Sequence, residues 1–270
     1  MHSLNLDFLV IGFPRCGTTW LYSVLKKHPD IFLPERKELR FFNKDYDLGF
    51  DYYTKWFAQA RPDQICGEMS PNYIYSEQAQ ERIRGFFPDV KLLILMRNPI
   101  HRLYSSYRFF SEQYSNRSFQ DLIYESSFLR SSQYITFIKK WCEFFPYESF
   151  KFVIFEHMVQ QPTETLEDIM SFLGVSSKHD FYIQQRSSNL SVFPKLQNVL
   201  YKHKMSWIIE LTKKTFLDSM ILNFAMRKNK HTYNTMDRKT YDKLLRYYAP
   251  YNKELSRFIQ QDLSFWMSDK

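Results

Sequence analysis

Apolar residues fall along this chain in short unbroken runs, separated by segments in which they recur every three or four positions. Phe8 to Ile11, Lys91 to Met96 and Lys151 to Phe155 are rich in Val, Ile, Leu and Phe. Runs this short and this apolar read as strands buried on both faces. Gln64 to Gly67 is a fourth candidate. Between the runs, Trp20, Leu21, Val24 and Leu25 take helical spacing before Pro29. Ile100, Leu103, Tyr104 and Tyr107 do the same after the second run. Leu166, Ile169, Met170 and Leu173 follow the third, with Gly174 placed to end that helix. Strands alternating with helices predict an α/β fold, a central parallel sheet flanked by helices, with ligands at the C-terminal strand ends.

A chain of 270 residues with no internal repeat and no Gly/Ser linker is read as one domain, 1–270. One stretch changes character. Between Lys202 and Lys230, Met205, Trp207, Ile208, Leu211, Phe216 and Leu217 make an apolar helical pattern with basic ends. Packing on its own domain is the favoured reading. A surface helix on a membrane and a helical cap, 202–230, over an acceptor site are the others.

Composition narrows the class. Hydrophobic residues are 44% and charged residues 24%, as in a folded globular protein. The net charge of +8 favours anionic ligands: a nucleotide, a phosphorylated or sulfated substrate, nucleic acid or a membrane surface. Cys16, Cys66 and Cys142 form no CxxC pair and no Cys/His cluster, so neither a disulfide framework nor structural zinc is expected, and a reducing, cytoplasmic setting fits. The opening Met1 to Asp7 reads as the lead into a strand rather than a signal peptide, and no window is apolar enough to span a bilayer.

The chemistry begins where the first strand ends. Gly12-Phe13-Pro14-Arg15-Cys16-Gly17-Thr18-Thr19-Trp20 follows a strand and opens a helix, the order that lets backbone N–H groups and a helix N-terminus surround an anion. The Gly-x4-Gly-Thr-Thr spacing is that of a Walker A loop, but Thr18 stands where the Gly-Lys-Ser/Thr lysine belongs, and the basic residue has moved forward to Arg15. A nucleoside triphosphatase also wants an acidic residue after a later strand to help hold magnesium. Here the second main strand runs into Arg97-Asn98-Pro99. An arginine there repels a metal and attracts a phosphate, so the site is expected to take an anion without a metal.

These motifs resemble those of the sulfotransferases that use 3'-phosphoadenosine 5'-phosphosulfate (PAPS), and the resemblance runs over most of the chain. It implies a P-loop NTPase-like fold. Gly12 to Trp20 looks like the family's 5'-phosphosulfate loop, which often has Lys where Arg15 stands. The resemblance makes Arg15, Cys16, Gly17, Thr18, Thr19 and Trp20 cofactor-binding, and Arg97 with Ser105 the 3'-phosphate site. Arg186, beside Ser187-Ser188-Asn189, falls where the family commonly adds a further cofactor contact. Tyr134 to Trp141, Lys151 to Glu156 and Pro162 to Gly174 continue the likeness as architecture.

Sulfuryl transfer needs an in-line nucleophile, removal of its proton, and stabilisation of charge on the leaving oxygen. Arg15 and the loop suit the last task. Lys37-Glu38-Leu39-Arg40-Phe41-Phe42 resembles the Lys-Glu-x-x-Phe-Phe segment of heparan-sulfate-type and bacterial sulfotransferases, whose glutamate is taken as the general base, which makes Glu38 the first candidate. Glu68, in Gly67-Glu68-Met69-Ser70-Pro71-Asn72-Tyr73, is the second: it orients the acceptor or Arg15, or is the base itself. The family often has Lys where Met69 stands. His28 is read as structural. The acceptor is expected to be a small molecule, as in natural-product tailoring, or else a carbohydrate, taking the sulfuryl group on a hydroxyl or amine, with no part for nucleic acid. The competing readings are a P-loop kinase or nucleotide hydrolase, and a non-enzymatic protein that binds polyanions or membrane.

Overall fold

The computed structural model describes residues 4–110, 117–176 and 236–268. Residues 1–180 and 244–270 belong to one compact unit, and the sheet and the candidate site lie within it; the other unit, 181–243, falls almost wholly outside the described residues, as do Arg186 and the 202–230 segment.

The strands form where the apolar runs lie: β1 Phe8–Gly12, β2 Ile31–Phe32, β3 Ile65–Met69, β4 Lys91–Met96 and β5 Phe150–Ile154. All pair in parallel, in the order β2-β3-β1-β4-β5. β1 is buried along its whole length and β4 at every position after Lys91, which is why both read as continuous apolar runs rather than alternating ones. Among the described helices, α1 (Thr18–Leu25), α2 (Phe50–Thr54), α3 (Glu77–Phe86) and α4 (Pro99–Phe109) precede the short α5 (Phe119–Leu122) and α6 (Ser126–Arg130). Then come α7 (Tyr134–Cys142), α8 (Phe155–Gln160), α9 (Pro162–Leu173) and the long α10 (Arg238–Ile259). Gly174 ends α9 in the left-handed region at φ 82°, as its sequence position suggested.

Two differences from the sequence reading have simple causes. β2 has two residues, too few to show a period, and pairs only with Ile65 and Cys66 of β3. The third run ends as a strand at Ile154, and Phe155 already opens α8.

The strand order fixes the site. From β1 the chain leaves toward β2 and β3, then returns past β1 to β4 and on to β5. The connections therefore diverge between the C-terminal ends of β1 and β4, the topological switch point at which open parallel sheets place their ligands.

Candidate active site

At that switch point β1 hands the chain to the loop from Phe13 to Gly17. The backbone turns left-handed at Arg15 (φ 70°) and again at Gly17 (φ 89°). Gly17 is required on two counts: its angle disfavours a side chain, and a Cβ there would lie 2.4 Å from Met158 Cε and 2.9 Å from the Phe155 ring. The turn sets the N-terminus of α1 beside the end of β1, with no side-chain cap on its first turn. Backbone N–H groups in that position are anion ligands by charge and by direction.

Arg102, from α4, braces the loop from beneath. It is buried, and its Nε donates to the Pro14 carbonyl at 3.1 Å. Its other nitrogens donate to Ser132 Oγ at 2.7 Å, Ser131 Oγ at 3.1 Å and the Tyr75 hydroxyl at 2.5 Å. Each of these partners is a neutral oxygen, so the guanidinium charge still contributes to the field at the loop. Cys16 is fully buried, and burial pushes its thiol up to about 12 despite the nearby Arg102 and Arg97 charges. It is an unreactive thiol, with Sγ 3.8 Å from the Pro14 carbonyl.

β4 ends at Met96, and Arg97-Asn98-Pro99 turns the chain into α4. Asn98 caps that helix, its Oδ1 accepting from the N–H groups of Ile100 (3.0 Å) and His101 (3.3 Å), while Pro99 fills the first helical turn. The N–H of Asn98 donates to Glu156 Oε1 at 2.9 Å, and Glu156 Oε2 takes the Trp266 indole N–H at 3.2 Å. The Arg97 carbonyl accepts from the Tyr134 hydroxyl at 2.7 Å, and its guanidinium lies 4.6 Å over the Phe155 ring. Phe155 thus sits against both Gly17 and Arg97. Burial, with the Arg97 charge, lowers His101 to about 4, so it is neutral at physiological pH.

The loop and α4 meet directly. Arg15 Nε donates to Ser105 Oγ at 3.2 Å, and the Arg15 guanidinium lies 4.3 Å over the Phe109 ring.

The Lys-Glu-x-x-Phe-Phe segment folds as its composition requires. Phe41 and Phe42 are buried in an aromatic cluster with Tyr53 (ring centroids 4.8 and 5.1 Å away) and Tyr73, the hydroxyl of which accepts the Phe42 N–H at 3.3 Å. Burying a phenylalanine side chain fully contributes about 1.5–3 kcal/mol, so the pair is a strong anchor. The preceding turn is docked on the end of β3: the Glu38 N–H donates to the Met69 carbonyl at 3.1 Å and the Arg40 N–H to Ser70 Oγ at 3.1 Å. Glu38 (φ 62°) and Arg40 (φ 58°) are both left-handed, a costly conformation for non-glycine residues that the surrounding contacts hold.

This turn puts Glu38 into a cleft of about 500 Å³ lined also by Thr19, Arg36, Lys37, Arg40, Lys44 and Asp45. Its carboxylate takes Lys37 Nζ at 3.1 Å on one oxygen and an Arg40 nitrogen at 2.6 Å on the other. Burial raises its pKa, but the Lys37 and Arg40 charges outweigh it and hold the group below the ordinary glutamate value. Lys37 Nζ also lies 3.4 Å from Thr18 Oγ1, linking the turn to the start of α1.

Glu68 has a different setting. It is 1% exposed and does not line that cleft. Its carboxylate accepts from Ser70 Oγ at 2.5 Å, the Tyr53 hydroxyl at 2.8 Å and the Tyr73 hydroxyl at 2.9 Å. Desolvation raises its pKa despite these donors. Glu68 therefore ties β3 to the aromatic cluster beneath the Glu38 turn. His28 is also internal: Nδ1 accepts the Asp30 N–H at 3.1 Å and Nε2 lies 2.8 Å from the Ser176 carbonyl, a structural position.

The structure thus gathers Arg15, Cys16, Gly17, Thr18, Thr19, Arg97 and Ser105 around the ends of β1 and β4, with Glu38 on the adjoining turn. Trp20 lies half-buried in the first turn of α1. The bracing role of Arg102 escaped the sequence reading, whereas a Lys37–Glu38 pair was already the plain reading of the charged run Glu35-Arg36-Lys37-Glu38. Arg102 stands off the Ile100, Leu103, Tyr104 and Tyr107 stripe of α4, so no local pattern signalled that it is buried.

An anion loop after β1 and an arginine after β4, at the switch point of a parallel sheet, define a P-loop-like α/β protein built for anionic ligands. Residues 5–256 match the family described as Sulfotransferase domain, and the chain belongs to that family of sulfuryl-transferring enzymes. It is 30% identical over 188 residues to mouse (Mus musculus) heparan sulfate glucosamine 3-O-sulfotransferase 6, covering 64% of this chain and 55% of that protein. It is 28% identical over 192 residues to mouse heparan sulfate glucosamine 3-O-sulfotransferase 3B1, covering 66% and 49%. The chain spans about half the length of the curated relatives it matches. Among solved structures, the sulfotransferase from Alicyclobacillus acidocaldarius superposes with a TM-score of 0.72 at 23% identity, over 98% of this chain and all of that one (100%). The sulfotransferase domain from the curacin biosynthetic pathway gives 0.54 at 16% identity, over 69% and 80%. At such identities these two likenesses concern the fold.

Proposed function

We propose that the chain transfers a sulfuryl group from PAPS to a hydroxyl or amine of an acidic small molecule or carbohydrate, with Glu38 as the general base. The observation that carries this reading is the placement of an ionised Glu38 in the same cleft as Thr19, at the start of α1. The loop N–H groups and Arg15 suit the donor's 5'-phosphosulfate; the family resemblance assigns Arg97 and Ser105 to its 3'-phosphate, and Ser105 here accepts from Arg15. When bound, PAPS supplies a sulfuryl group already activated on a phosphate. The chain's part is to orient that group, take the acceptor's proton on the Glu38 carboxylate, and neutralise charge on the departing phosphate through Arg15 and the loop.

Four cations, Arg36, Lys37, Arg40 and Lys44, against the two carboxylates of Glu38 and Asp45 leave the cleft wall net positive, which supports an acceptor that itself carries carboxylate or sulfate groups. The buried position of Glu68 favours a supporting role for it rather than that of base. A kinase or nucleotide hydrolase is the alternative that most needs exclusion. Thermal stabilisation by adenosine 3',5'-bisphosphate, with none from ATP and magnesium, is the expected result. Stabilisation by ATP and magnesium alone would overturn the reading.

A further inference from the structure

Two cations share the single carboxylate of Glu38, so the 37–40 turn carries net positive charge at neutral pH. Arg40 reaches it from the more exposed side, with 42% of its side chain accessible, whereas the Lys37 side chain is 18% accessible and points inward to Thr18 Oγ1. A half-buried ammonium standing between the first residue of α1 and the carboxylate next to it is far more than Glu38 needs for orientation, since Arg40 already binds it at 2.6 Å. The end of β3 brings no cation here: Met69 is buried and gives the turn only its carbonyl. The Lys37 ammonium is also under pressure, because burial lowers its pKa and the Arg15 and Arg40 charges add to that, with Glu38 offsetting only part. An anion arriving at the N-terminus of α1 would relieve both effects.

We propose that Lys37 is a catalytic residue whose ammonium binds the sulfuryl oxygens of the donor, from its place between Thr18 Oγ1 and Glu38 Oε1. This rests on the sulfuryl-transfer reading above. In the transfer the acceptor's oxygen or nitrogen forms the new bond to sulfur with its lone pair, and its proton passes to Glu38. The bond from sulfur to the 5'-phosphate oxygen breaks, with its electron pair staying on that phosphate. Lys37 keeps its proton throughout and neutralises the sulfuryl oxygens. Base and cation thus sit on consecutive residues of one strained turn, held at a fixed distance from the loop.

The test is calorimetric and needs no turnover. PAPS and adenosine 3',5'-bisphosphate differ by the sulfuryl group alone, so their affinities are compared, without acceptor, for the wild type, Lys37→Gln and Lys37→Arg. Lys37→Gln is expected to weaken PAPS by about tenfold, the loss of one charge-assisted contact, while the bisphosphate changes less than about twofold, and Lys37→Arg restores part of the difference. The Gln change replaces a side chain at the cleft wall, and a melting curve checks that it folds; Lys37→Met gives the same comparison if it does not. An unchanged ratio of PAPS to bisphosphate affinity in a folded Lys37→Gln would show that Lys37 merely holds Glu38 and would overturn the proposal. A wild type that binds neither ligand would overturn the sulfuryl-transfer reading along with it.

Discussion

Arg15 Nε and Ser105 Oγ, 90 positions apart in sequence, are joined by a 3.2 Å hydrogen bond across the ends of β1 and β4. On the proposed reading, the bond links the phosphosulfate position at the loop to the 3'-phosphate position on α4. The residue of the loop that suits a phosphosulfate is held by the residue of α4 that suits the other phosphate. Binding at one end is therefore expected to depend on the order of the other.

Removing either member is expected to weaken adenosine 3',5'-bisphosphate, by about tenfold for Ser105→Ala and more for Arg15→Ala, as the loss of charge-assisted hydrogen bonds implies. The double variant should lose less than the product of the two, because residues in contact do not act independently. Calorimetric titration of the four proteins gives the coupling; strict additivity would mean that the bond has no part in binding.

Glu38→Gln is expected to reduce turnover by at least about a hundredfold, the usual contribution of a general base, while leaving bisphosphate affinity nearly unchanged. The pH profile gives a second reading. With its pKa held down by Lys37 and Arg40, Glu38 is ionised and competent from neutral pH to below the ordinary glutamate range, and activity falls only as pH drops through the lowered value. Arg40→Gln removes one of those charges, so the acid limb of kcat/KM should move to higher pH. An acid limb that does not move would sink the assignment of that limb to Glu38.

Arg102→Leu leaves the Pro14 carbonyl, the Tyr75 hydroxyl and two serine hydroxyls without their donor in a buried site. Breaking such a network is expected to cost about 3 kcal/mol, read as a lower urea midpoint. Bisphosphate binding should weaken as well, since the loop loses its brace and a nearby positive charge. Unaltered affinity in a folded variant would reduce Arg102 to a purely structural part.

Tyr53→Phe deletes one of the hydroxyl donors to Glu68 and is expected to cost about 1–2 kcal/mol. The pH dependence has a definite sign. The folded pKa of Glu68 is raised, so the folded chain holds its proton more tightly than the unfolded chain, and stability falls as pH rises from the unfolded value through the folded one. Losing a donor to the carboxylate raises the folded pKa further. The penalty of Tyr53→Phe should therefore be larger at neutral pH than in acid, and urea unfolding at both pH values decides it.

Much of this was legible in the chain itself. β4 occupies the run from Lys91 to Met96 because apolar side chains fill it and Arg97-Asn98-Pro99 ends it, and the loop from Gly12 carries its own signature in spacing and in the missing lysine. β2 stayed hidden because two residues show no period, and α3 because its apolar positions are few among charged ones. Two carboxylates, Glu38 and Glu68, each followed a recognisable pattern; the Phe-Phe pattern put Glu38 first, but nothing local showed which of the two is buried.

The sequence by itself determined the alternation of strands and helices, the anion loop and the residue types of the site, since these depend on local period, turn chemistry and charge. Only the tertiary structure decided which carboxylate meets the cleft: the burial of Phe41 and Phe42 on Tyr53 and Tyr73 turns Glu38 outward between two cations and closes three hydroxyls over Glu68. It also decided that Arg15 finds Ser105. Both outcomes rest on packing between segments distant in sequence, where the cost of burying a charge and the fit of aromatic rings are set by neighbours that no local pattern names.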